Sequence, residues 1–150
     1  MGAITLKTAA WLVVASIIGA GISSPALCAN ADHVYRGTLG ERSIELYLGE
    51  REQPCNGGPV YHGMYRYDGN SGWLQLQITA NAKRQFVMVE NGFSGVLMLK
   101  EAGKALLGEW TSPDQTRRWP VTLQRRPLDA KGVEAMEDAH EKLNHSNNDC

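Results

Sequence analysis

The most familiar chemical spacing in this chain lies near its C-terminus, in His140-Glu141-Lys142-Leu143-Asn144-His145. Two histidines around a glutamate resemble the H-E-x-x-H pattern with which one face of a helix holds zinc beside a general base. Here the histidines are five apart. At about 100° per residue they stand roughly 140° apart around a helix, so they do not converge on one ion. Glu50 and Glu52 place two carboxylates together, but in a polar loop with no apolar pocket to raise either pKa for acid–base work. There is no G-x-S-x-G nucleophile elbow, and no glycine-rich phosphate loop lies between a strand and a helix. The expectation is a non-enzyme without catalytic residues, metal or cofactor.

Binding chemistry suits the composition better. Trp73, Tyr61, Tyr65, Trp110 and Trp119 could line an aromatic cavity for a small apolar ligand, or could simply fill the interior of a narrow β-barrel. Arg51, Gln53, Pro54, Asn56, Gly57 and Gly58 form a loop that a tether at Cys55 would turn into a rigid protrusion for a protein partner. A second candidate contact is the turn Ser71-Gly72-Trp73, with Trp73 as its aromatic anchor.

These residues need elements to hold them, and the elements read as β-hairpins. Val60 to Ile78 places two β-type runs around Asp68-Gly69-Asn70-Ser71-Gly72, a tight-turn composition. Tyr61, Gly63, Tyr65 and Tyr67 share one face of the first run. Leu74, Leu76 and Ile78 share one face of the second, opposite Trp73, Gln75 and Gln77. A phrase of two large residues around a glycine recurs at Tyr35-x-Gly37-x-Leu39, Tyr61-x-Gly63-x-Tyr65, Phe93-x-Gly95-x-Leu97 and Leu106-x-Gly108-x-Trp110. Such a glycine leaves room for a bulky neighbour or lets the strand bend into a barrel wall. Further β runs cover His33 to Leu39, Ser43 to Gly49, Arg84 to Glu90, Phe93 to Lys100, Lys104 to Thr111 and Arg117 to Gln124.

Eight short strands joined in sequence predict an all-β antiparallel meander closing into an up-and-down barrel, with a two-sheet sandwich as the alternative. Pro120 lacks a ladder donor, which predicts an edge or a bulge in the last strand. After Pro127 the period changes, and Asp129 is placed to cap a C-terminal helix running to about Asn144, packed on the barrel and followed by a polar tail.

The ends of the chain point to export. Lys7, the uncharged apolar run Trp11 to Ile22, the break at Ser23-Ser24-Pro25 and the segment Ala29-Asn30-Ala31 have the order of a secretory signal peptide over residues 1–31. Cleavage after Ala31 leaves Asp32 first, and cleavage after Ala29 is the alternative. The run is too short to span a membrane. Residues 32–126 then form the barrel and 127–150 the helix and tail. Without Lys7, 14 basic residues stand against 16 acidic ones, a net charge of −2, which argues against nucleic acid as a partner. Cys28 leaves with the signal, so Cys55 and Cys150 remain either to form a disulfide or to stay free or pair between molecules.

A small exported barrel of this kind resembles the bacterial periplasmic inhibitors of lysozyme, and also the avidin-type meander barrels. The inhibitors present an S-G-x-x-Y type motif to the enzyme's cleft. Ser71-Gly72-Trp73-Leu74-Gln75 and Ser94-Gly95-Val96-Leu97-Met98 keep its Ser-Gly without the tyrosine. The wider Y-x-G, G-W-L-x-L and G-x-W phrasing is similar to that of uncharacterised secreted bacterial β-proteins over about Tyr35 to Leu123. The resemblance implies a periplasmic protein-binding module that inhibits a cell-wall hydrolase, or serves as immunity protein to a toxin. The alternative is a carrier of a small apolar ligand in the barrel interior.

Overall fold

The computed structural model describes residues 30–53 and 58–148. Eight strands run in chain order: β1 (Ala31–Leu39), β2 (Arg42–Arg51), β3 (Val60–Tyr67), β4 (Leu74–Ala80), β5 (Gln85–Glu90), β6 (Val96–Ala102), β7 (Ala105–Thr111) and β8 (Arg118–Arg126). Each pairs antiparallel with the next, and β8 returns to pair with β1, from Val34↔Arg126 to Leu39↔Val121. The meander is therefore a closed barrel, not a sandwich. Closure leaves no strand edge unpaired.

Alternation along each strand sets the wall. Tyr35, Leu39, Ile44, Leu46, Leu48, Tyr65, Leu76, Phe86, Met88, Leu97, Leu99, Leu106, Trp110, Val121 and Leu123 point inward and form one buried core. Large side chains fill the interior, as is common for eight strands. Of the four recurrent glycines, one has the expected role of leaving room for a bulky side chain, and at the other three it is neighbouring backbone that excludes a side chain. A Cβ at Gly95 would lie 2.2 Å from the Trp110 indole nitrogen, so this glycine makes space for a ring. At Gly37, Gly63 and Gly108 it would strike the backbone oxygens of Thr122, Tyr47 and Met98, so there the strands themselves approach closely.

β8 is paired on both sides from Val121 onward, but Pro120 itself has a ladder partner only in β7, Glu109, so at the proline the strand is locally an edge and not a bulge. The Pro120 carbonyl accepts from the Gly40 amide at 2.8 Å, just past the Leu39↔Val121 end of the β1–β8 ladder. The missing N–H would have pointed to that same side, beyond the last rung. The ring therefore costs the sheet no hydrogen bond.

The turns 40–41, 68–73, 91–95 and 112–117 gather at what we call the upper end of the barrel, and residues 52–53 and 58–59 with the connections 81–84 and 103–104 at the lower end. An ionic network spans the lower end. Arg84 binds Glu50 at 2.9 Å and Glu101 at 2.6 Å, while Arg125 reaches Glu101 at 3.4 Å and the Tyr35 hydroxyl at 3.1 Å.

The C-terminal helix α1 (Ala130–Asn148) begins as expected, with the Asp129 carboxylate accepting from the Gly132 amide at 2.8 Å. It runs four residues past Asn144, because the Asn144 and Asn147 side chains bond Gln75 of β4 and carry the helix onward. The helix lies on the outer face of β1 to β4, where its Met136, Ala139 and Leu143, with Leu128 just before it and Trp73, pack on Val34, Tyr47 and Met64.

Candidate protein-binding site

The best-built exposed feature is the loop between β5 and β6, and its construction starts from a buried acid. Glu90 ends β5 pointing inward, 4% exposed, and among the described residues it forms no ion pair. One carboxylate oxygen accepts from the Tyr65 hydroxyl at 2.5 Å and from the Trp110 indole N–H at 2.6 Å. The other accepts from the Ser94 hydroxyl at 2.6 Å. Burial, then the bond to Glu90, drives the Tyr65 hydroxyl far above its ordinary pKa, so it remains a donor. Ser94 belongs to the loop itself. The acid thus ties the loop to the core.

The backbone of the loop is held as tightly. The Phe93 amide donates to the Glu90 carbonyl at 2.8 Å, the Glu90 amide to Gly95 at 3.0 Å and the Asn91 amide to Gln75 at 2.9 Å. Within this frame Gly92 and Phe93 both adopt left-handed conformations, φ 77° and 53°. For glycine this is easy; for phenylalanine it is a strained state that persists only where the surroundings impose it. Phe93 is 57% exposed, the most open large apolar side chain among the described residues.

The neighbouring loop, 112–117, is equally ordered. Ser112 donates its hydroxyl to Asp114 at 2.5 Å and accepts from the Arg117 amide at 3.0 Å, while Asp114 also accepts from the Thr116 amide at 3.1 Å. The Ser112 hydroxyl, then the Thr116 amide, hold the Asp114 carboxyl down at about 2. Gln115 in this loop is also left-handed, φ 59°. Phe93 and Gln115 line the same depression of about 340 Å³, with Val96, Met98, Pro113 and Arg118 around it. Across Met98 a second depression of about 410 Å³ is bordered by Val87, Phe86 and Lys100. Val87, Met98 and Leu107 are exposed on this outer face of β5 to β7, so an apolar strip leads away from Phe93. Rigid loops beside an apolar strip suit recognition of a protein surface.

The residues singled out from sequence are scattered. Ser71 and Gly72 are exposed at the upper end, on the same end as Phe93. Trp73 is half-buried, with the Arg66 guanidinium 4.4 Å from its ring, and belongs to the contact with α1. Arg51 is at the lower end, paired with Asp32 at 2.9 Å and with Glu137 of α1. Tyr61 packs edge-on against Phe86 at the lower end, and Tyr65 and Trp110 are core residues whose polar atoms serve Glu90. Trp119 stacks on Trp110 at 4.6 Å. The aromatics therefore do not line a common cavity. Asn56, Cys55, Cys150 and the signal segment up to Ala29 lie outside the described residues.

The H-E-K-L-N-H segment splits across α1: His140 faces His62, while His145 lines a surface hollow with Asp138, Glu141 and Lys142. Sequence reasoning placed Phe93 inside a strand, whereas it lies exposed in the loop between β5 and β6. The usable signal was Asn91-Gly92 followed by Ser94-Gly95, two turn-forming pairs that leave Phe93 between them. No protein-family model, curated protein or solved structure matches this chain.

Proposed function

We propose that the mature chain is an exported, periplasmic protein-binding module that inhibits an enzyme acting on the cell envelope, a cell-wall hydrolase of the lysozyme type or a toxin to which it confers immunity. The single observation that carries this reading is Phe93: an exposed aromatic, held in a strained conformation on a loop pinned through Glu90 to the barrel core. Inhibitors that plug a cleft gain from a rigid protrusion, because little motion remains to be lost on binding. Phe93 enters the partner's apolar recess, and Met98 with the flanking depressions forms the surrounding contact. Ser94-Gly95 and Ser71-Gly72 sit at the same end and complete the rim. The carrier reading gains no support, since buried side chains occupy the interior.

The test is capture from a periplasmic extract with oxidised mature protein beginning at Asp32. Retention of one stoichiometric hydrolase or toxin, whose activity the protein suppresses, is the expected result. Retention of no protein, or of one whose activity is unaffected, overturns it.

A further inference from the structure

We infer that α1 is an acid-released cover over a second apolar face of the barrel, latched by the pair His62 and His140. The Phe93 loop takes no part in it. None of the helix's residues is fully buried, so its hold on the barrel is a seam and not a core. Part of the seam is apolar, through Leu128, Met136, Ala139 and Leu143. At its centre, however, two imidazoles meet. The rings of His62 on β3 and His140 on α1 lie 4.8 Å apart, and Tyr47 of β2 packs against them at 5.7 and 6.5 Å. Gly49 is what admits His62 to this place, because a Cβ there would stand 2.2 Å from the ring.

The charges facing the pair come from three elements. β1 supplies Asp32, which accepts from the Tyr47 hydroxyl at 2.6 Å and from Arg51 at 2.9 Å. β2 supplies Arg51, and α1 supplies Glu137, which Arg51 also engages. Both acids are thus occupied by the same arginine. Protonating the histidines would set two cations side by side next to that third one.

The titration follows the geometry. Burial, then the neighbouring His140 and Arg51, hold His62 down at about 4, and burial followed by Arg51 lowers His140 too. With the helix undocked, His140 is in water and titrates near the ordinary imidazole value of about 6.5, and His62 rises toward it as it loses the helix's cover and the neighbouring His140. Because the docked values are depressed, docking is at full strength above that pH, and weakens as pH falls from about 6.5 toward 4, where the undocked form binds more protons. Most of a helix's stability in a protein comes from packing of its apolar face, and this one carries Gly132 and the poor helix formers Asn144, His145, Ser146, Asn147 and Asn148, so the undocked segment loses its helicity. Its departure bares Val34, Tyr47, Met64 and Trp73.

The experiment follows backbone amide signals of isotope-labelled mature protein by NMR from pH 7.5 to 4. The expected result is loss of the α1 signals' dispersion between pH 6.5 and 4 while the barrel signals keep theirs. The variants His140→Gln and His62→Gln/His140→Gln keep the helix docked to lower pH. His140→Gln, on the outer side of the seam, serves alone if the double variant does not fold. Helix and barrel melting together, a helix still docked in the wild type at pH 4, or undocking of the variants at the wild-type pH would each overturn the inference.

Discussion

Glu90 is the residue on which the site turns. A buried carboxylate served by three neutral donors is stable only while all three are aimed at it, and these three come from β3, β7 and the loop. Glu90→Ala leaves the Tyr65 hydroxyl and Trp110 indole N–H without a partner, and costs about 3 kcal/mol of unfolding free energy. Glu90→Gln costs clearly less, since its amide oxygen can still accept from both and its NH₂ can donate to Ser94. Chemical denaturation of the two variants checks the order. Phe93 makes the opposite prediction. A non-glycine residue pays about 1–2 kcal/mol for a left-handed backbone. Its ring is largely in water, so Phe93→Gly leaves stability unchanged or raises it by up to about 1 kcal/mol. A clear fall in melting temperature would instead make the ring a packing element.

At the scale of elements, all eight strands and the helix were legible in the sequence. The reason is local: period-two alternation and turn pairs such as Asp68-Gly69 and Asn91-Gly92 are determined by nearest neighbours. What was not legible depended on contacts made elsewhere. Phe93 fits the strand phrase Phe93-x-Gly95-x-Leu97, and the loop that turns it outward is fixed partly by its own backbone bonds and partly by Ser94 on Glu90, an acid held in place by distant Tyr65 and Trp110. Pro120 reads as an edge signal, and only the position where the β1–β8 ladder stops makes it harmless. The helix runs beyond Asn144 because of Gln75, some 70 residues away in sequence. The repeated glycines belong to this scale as well. Gly108→Ala forces a methyl to within 1.9 Å of the Met98 carbonyl oxygen, a backbone atom that cannot rotate away. A loss of about 2–4 kcal/mol is expected, and an unchanged denaturation midpoint would mean that β6 and β7 separate easily.

The whole molecule is a closed, filled barrel with two unlike outer faces. β1 to β4 carry the helix, and β5 to β7 stay bare with Val87, Met98 and Leu107 exposed. Its rigid loops gather at the upper end and its ionic network at the lower. This division keeps the two readings separable: the Phe93 surface is present at all pH values at which the barrel is folded, whereas the face under α1 is offered only in acid. It also places Arg51 and the Ser71-Gly72-Trp73 turn at opposite ends, so they do not share one contact. The most direct test of the proposed inhibitor role is a paired capture from the same periplasmic extract at pH 7.5, with wild-type mature protein and Phe93→Gly matched for melting temperature. The account predicts that the wild type retains an envelope enzyme and suppresses its activity, and that the variant loses both by at least tenfold. Equal retention and inhibition by the two proteins would contradict it.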